Sequence, residues 1–128
     1  MEIAIIDDCG MDRFLTRNAI LQDYPRASVV EYATPDDALA AARDGELASL
    51  VLLDLRLGGT SGLDVALRLL ALGEFDIVLH SDHLEPKHRA RAEKLPNVLA
   101  CLEKTADGRS VRQFLASAEP CGVSPRAA

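Results

Sequence analysis

The chain has 128 residues and a formal net charge of −6, with 48% hydrophobic and 27% charged residues. That balance excludes a disordered chain, and the length fits a single domain that buries a core without disulfide staples. The acidic surplus also excludes the broad basic surface on which general nucleic-acid or anionic-membrane binding depends.

Ile3-Ala4-Ile5-Ile6 is apolar at every position, as in a strand covered on both faces. Met11, Phe14, Leu15, Asn18 and Leu21 recur at helical spacing and mark the stripe of a first helix, with Arg13, Arg17 and Gln22 off it. Ser28-Val29-Val30 predicts a second strand. Thr34-Pro35-Asp36-Asp37 combines a hydroxyl cap, Pro at the first helical position and an acid in the first turn, opening a helix that stops at Asp44-Gly45. Leu50-Val51-Leu52-Leu53 is the strongest strand signal. Leu63, Ala66, Leu67 and Leu70 then give a third helix ended by Gly73.

Ile77-Val78-Leu79 is the fourth strand, and Asp82-x-x-Glu85 resembles a capping box for a fourth helix that Leu95-Pro96 ends. Val98 to Leu102 is the fifth strand, and Val111, Phe114, Leu115 and Ala118 mark the last helix. Residues 1–118 are therefore expected to form one domain. Residues 119–128, with Pro120, Gly122 and Pro125, are expected to be a disordered tail or linker. No apolar run reaches the ~18 residues of a membrane span, and the opening Met-Glu-Ile lacks a basic signal-peptide start. Cys9, Cys101 and Cys121 form neither a disulfide framework nor a zinc-ligand spacing. A reduced, cytoplasmic protein is the expectation.

Five strands alternating with five helices predict an α/β fold: a doubly wound, five-stranded parallel sheet with helices on both faces. Ligands in such sheets sit beyond the carboxyl ends of the strands. Asp7 and Asp8 end strand one, Asp54 ends strand three, Ser81 follows strand four and Lys104 follows strand five. Crowded carboxylates repel unless a cation neutralises them, and oxygen-only ligands suit a hard ion such as Mg2+. With a mobile Lys charge and a hydroxyl donor, the set suits phosphoryl transfer, which is mostly positioning and charge neutralisation. Singly, each has a plainer role: Asp7-Asp8 as a helix cap, Asp54 as a turn residue before Gly58, Gly59 and Gly62, and Lys104 as a solvated loop residue. It is their placement together at the ends of separate strands that carries the inference.

In this set the chain resembles the receiver domain of two-component response regulators. The resemblance rests on Ile5-Ile6-Asp7-Asp8, Leu52-Leu53-Asp54-Leu55, Ser81 and Lys104, and spans residues 2 to about 118. It implies a flavodoxin-like sheet of order 2-1-3-4-5 and a switch rather than a turnover enzyme. Asp54 would accept a phosphoryl group from a sensor histidine kinase or phosphotransfer protein. Asp8, Asp7, Asp54 and the Arg56 carbonyl would hold Mg2+. Lys104 and Ser81 would receive the phosphoryl oxygens, and the signal would pass to a downstream protein or output domain.

The chain departs from that pattern in places. Cys101 stands where the family carries Tyr or Phe, so a ring-rotation readout cannot operate. Thr105 replaces the Pro after the Lys, which predicts a trans peptide. Gly58 replaces a Pro and is expected to loosen the loop after Asp54. Asp82 replaces a small residue and is expected to cap a helix, the alternative being a fourth acid that tunes metal affinity or resists phosphate. Arg56 and His83 would flank the path of a hydrolytic water, or lie exposed. The fourth helix is a polar, basic strip suited to an acidic partner or a second copy of the domain, or simply a solvated face. Cys9 is expected to be buried or capping. Two other functions fit less well: an interaction module that works without phosphorylation, and an Mg2+-dependent phosphatase. Arg56 stands where such a phosphatase carries its second acid.

Overall fold

The computed structural model describes residues 1–118; the expected tail, with Cys121, lies outside the described residues. Twelve elements follow one another: β1 (Glu2–Ile6), α1 (Gly10–Asp23), β2 (Ser28–Tyr32), α2 (Pro35–Arg43), β3 (Leu50–Leu53), β4 (Arg56–Leu57), β5 (Thr60–Ser61), α3 (Gly62–Leu72), β6 (Asp76–Ser81), α4 (Pro86–Glu93), β7 (Val98–Glu103) and α5 (Arg109–Ala118). The five long strands form one sheet in the order β2-β1-β3-β6-β7, every pair parallel. This is the order 2-1-3-4-5 of a flavodoxin-like sheet.

The sheet's two faces bury separate cores, because alternate residues of a strand point to opposite sides. Ile6, Leu53 and Leu79 face one way, packing with Ala38, Leu39, Leu63, Ala66 and Leu69 of α2 and α3. Ile5, Leu52 and Val78 face the other way, with Ile20 of α1 and Val111 and Leu115 of α5. The central strands are thus covered twice, which is why they read as unbroken apolar runs.

Three helices depart from the sequence pattern. In α1 the apolar stripe is not the buried face: Met11 is 64% and Phe14 56% exposed, while Thr16, Ala19 and Ile20 are buried. The off-stripe arginines reach the edge of the sheet in this rotation. Arg13 pairs with Glu31 at 3.1 Å and donates to the Asp7 carbonyl, and Arg17 pairs with Glu31 at 2.9 Å. In α3, Leu67 and Leu70 are exposed, and the buried side runs through Leu63, Val65, Ala66 and Leu69. Asp82 does not cap α4. The helix begins at Pro86 with Glu85 as its N-cap, and the Glu85 N–H donates to His88 Nδ1 at 3.2 Å. Ala92 is the buried residue of α4, as its polar composition implies.

The α2 start matches its pattern: Thr34 Oγ1 accepts from the Asp37 N–H at 3.2 Å. Thr34→Ala is expected to cost about 1 kcal/mol, read as a lower urea midpoint with an unchanged slope.

The segment after Asp54 is a short hairpin. Arg56 pairs with Ser61 and Leu57 with Thr60, antiparallel, around a two-residue turn. Gly58 and Gly59 both have positive φ, at 52° and 92°. A two-residue hairpin of this hand needs that conformation at both positions, which Pro cannot adopt. Gly58 therefore supplies a turn conformation that Pro cannot.

Candidate functional site

Strand register brings the site together. Ile6 lies beside Leu53, and Leu53 beside Leu79, so one step further Asp7, Asp54 and His80 line up across the sheet edge. By the alternation of the pleat, all three follow residues of the α2–α3 face and so turn toward the α1–α5 face. The Asp54 N–H donates to the Ile6 carbonyl at 2.9 Å and the Lys104 N–H to the Ser81 carbonyl at 2.9 Å, fixing the ends of β3 and β7 relative to their neighbours.

The Lys104 ammonium is the centre of the cluster. Its Nζ lies 2.8 Å from Asp7 Oδ2, 2.7 Å from Asp12 Oδ2 and 3.0 Å from Asp54 Oδ2. The side chains of Lys104, Asp7 and Asp54 are only 9%, 4% and 9% exposed. Burial opposes the charge on Lys104, but its hydrogen bonds to Asp12, Asp7 and Asp54 outweigh it and hold its pKa above the usual lysine range. Burial raises the pKa of Asp7, and repulsion from Asp54 adds to this. Lys104 and the Cys9 N–H, which donates to Asp7 Oδ1 at 2.9 Å, pull the other way.

Asp8 is exposed, yet carboxylate oxygens of Asp7, Asp8 and Asp54 lie within 4.8 Å of one another. Oxygens on opposite sides of a magnesium ion stand about 4 Å apart, so this all-oxygen donor set suits a hard divalent cation. The Arg56 N–H donates to Asp54 Oδ1 at 3.2 Å, while the Arg56 side chain is exposed, as are those of Asp82 and His83. Ser81 is buried at the end of β6. Cys9 occupies the N-cap position of α1 but is exposed, and its side chain does not cap the helix. Cys101 is half-buried against the α2–α3 core. The Lys104–Thr105 bond is trans, as expected, there being no cis peptide among the described residues.

Three residues of the site escape the strand-end pattern. Asp12 reaches Lys104 from the first turn of α1, and no spacing rule points to it. Gly62 donates its N–H to the Leu55 carbonyl at 2.7 Å, and a Cβ there would stand 2.2 Å from the Asp54 carbonyl oxygen. Its only signal is the glycine run after Asp54. His80 lies inside a strand that reads as apolar. It is 6% exposed, with Nε2 unpaired by any protein group, in a pocket of about 30 Å³ lined also by Asp12, Thr16, Lys104, Thr105 and Gly108. Burial first, and Lys104 second, push its pKa down to about 4, so the ring is neutral at pH 7.

No protein-family model and no curated protein matches the sequence. Solved structures do match in fold. The N-terminal domain of a response regulator/sensory box/GGDEF protein from Carboxydothermus hydrogenoformans superposes with a TM-score of 0.79 at 22% identity, over 94% of this chain and 95% of that one. The signal receiver domain of a DNA-binding response regulator from Colwellia psychrerythraea gives 0.80 at 18% identity, over 94% and 98%. A CheY-like receiver domain from Methanospirillum hungatei gives 0.78 at 17%, over 91% and 90%.

Proposed function

Given that the fold is that of response regulator receiver domains, we propose that the chain is a phosphoryl-accepting signalling switch with Asp54 as the acceptor. The observation that carries this is one buried ammonium joining Asp7 to Asp54, with an Asp8 oxygen alongside, at the carboxyl edge of a parallel sheet. A purely structural use of that edge has no need for so many acids around one lysine, since burying charge works against stability.

In this reading a carboxylate oxygen of Asp54 attacks the phosphorus of a phosphohistidine. The new O–P bond forms as the P–N bond breaks, and the imidazole leaves with its electron pair. Asp7, Asp8 and Asp54, with the Arg56 carbonyl, would hold Mg2+. When bound, the metal supplies charge neutralisation for the phosphoryl oxygens. Lys104 supplies the second positive charge, and Ser81 a hydroxyl donor to the transferred group. The Arg56 N–H on Asp54 Oδ1 orients the carboxylate, leaving Oδ2 facing Lys104. Exposed Met11, Phe14 and Leu15 lie along α1, the helix that contributes Asp12 to the site. They offer apolar area against which a kinase helix can dock. No helix among the described residues is long and apolar enough to cross a membrane. The domain would act as a switch rather than as a turnover enzyme, with its output through a partner protein or a further domain.

The test is intact mass after incubation with Mg2+ and acetyl phosphate. Wild type is expected to gain one phosphoryl group only when Mg2+ is present, and Asp54→Asn to gain none. An adduct that persists in Asp54→Asn would sink the assignment. Cys101 supports a second reading, an interaction module independent of phosphorylation, because β7 carries no aromatic ring to report on the site. That reading takes first place if neither Mg2+ nor beryllofluoride binds.

A further inference from the structure

Lys104 is fully engaged before any phosphoryl group arrives. An ammonium has three N–H donors, and the carboxylates of Asp7, Asp12 and Asp54 take one each at 2.7–3.0 Å. Asp7 and Asp54 belong to the oxygen cluster that suits a divalent cation. Asp12 does not; it approaches from α1 and makes the shortest of the three contacts.

We propose that Asp12 is a positioning residue that restrains phosphoryl uptake by holding Lys104 toward α1, in competition with the incoming anion. This rests on the reading of Asp54 as acceptor and adds a built-in brake to it. Two features make the restraint effective. The Lys104 side chain is 9% exposed and that of Asp12 29%, so water screens the pair only in part. The lining beside Asp12 and Lys104 also contains neutral His80 and the buried Thr105 Oγ1, neither of which adds a charge to compete with Asp12. Asp12 also adds a fourth negative charge where an anion has to land. Releasing Lys104 from Asp12 frees one N–H and leaves Asp7, Asp8 and Asp54 unchanged.

The test compares wild type, Asp12→Asn and Asp12→Glu. Beryllofluoride binding at fixed Mg2+ is followed by amide NMR, Mg2+ binding alone is titrated separately, and acetyl phosphate labelling is followed by mass. Asp12→Asn is expected to tighten beryllofluoride and speed labelling by roughly five- to tenfold, the scale of one partly exposed charge-assisted hydrogen bond. Mg2+ alone should weaken by less than about threefold, since Asp12 contributes only long-range charge to that cluster. Asp12→Glu, which keeps the carboxylate, should stay near wild type. A merely structural Asp12 would move folding stability and leave the ratio of mimic to metal affinity unchanged. Equal mimic affinity and labelling in wild type and Asp12→Asn overturns the brake and leaves the acceptor reading standing. Should neither protein bind mimic or label, both fall together; labelling by Asp12→Asn alone supports the brake.

Discussion

Gly62→Ala is expected to destabilise the domain by at least about 3 kcal/mol, the upper range of overpacking in a fixed core, and to impair the site as well. A Cβ at residue 62 would lie 2.2 Å from the Asp54 carbonyl oxygen and 2.9 Å from Leu55 Cα. Both are backbone atoms, so no flexible side-chain tip can swing away. The segment is also held closed by the Gly62 N–H on the Leu55 carbonyl and by the β4–β5 hairpin. Relief has to come from moving Asp54 itself, and a misplacement of about 1 Å lowers the rate of a positioned reaction by roughly a hundredfold. Gly45→Ala is the control. It has a positive φ of 74° but nothing within 4 Å of the added Cβ. There only the left-handed backbone penalty applies, about 1–2 kcal/mol, and phosphoryl uptake should be unchanged. Urea denaturation and acetyl phosphate labelling of both variants check this. A Gly62→Ala protein as stable and as readily labelled as wild type would show that the turn is not tightly packed on Asp54.

The other large effect is an acid limb set by His80. Its pKa is about 4 in the folded protein against an ordinary value of 6.5. Between those values the unfolded chain takes up a proton that the folded chain excludes. The contribution is therefore complete above pH 6.5, shrinks as pH falls, and is gone near pH 4. At about 1.4 kcal/mol per pH unit the loss is on the order of 3 kcal/mol. Asp7 acts in the opposite sense, because its raised pKa favours proton uptake by the folded state. That term is common to wild type and His80→Leu, so the difference between the two isolates His80. Urea unfolding across pH 4–7 should show a steep acid limb in wild type and a flatter one in His80→Leu. Parallel pH profiles for the two proteins would rule the mechanism out. The His80 ring signals should also stay those of a neutral imidazole down to pH 5.

The three central strands were readable because each is buried on both faces, and only apolar residues satisfy that position. Ile3–Ile6, Leu50–Leu53 and Ile77–Leu79 carry that demand directly. Asp7, Asp8 and Asp54 were readable for a related reason: a charge after such a run marks the sheet edge where ligands bind, and Lys104 follows the neighbouring edge strand β7. The helical faces were less legible. The α1 pattern offers an apolar stripe, but helical spacing says nothing about which side meets the sheet. In the fold Ile20 enters the core, while Arg13 and Arg17 reach Glu31 on β2 and the Asp7 carbonyl. The start of α4 was misplaced because Asp82 and Glu85 have the spacing of a capping box, whereas Pro86 at the first helical position makes Glu85 the cap.

The amino-acid order by itself therefore determined the strands, the sheet class and the acids at the strand ends, since burial and charge are written residue by residue. Only the tertiary structure decided that Asp12 joins Asp7 and Asp54 on Lys104, that His80 lies in the pocket beside them, and that Gly62 presses on Asp54. Those contacts depend on strand register, helix rotation and the closure of a hairpin. Each sums many weak interactions between segments distant in sequence, and no local pattern of residues encodes that sum.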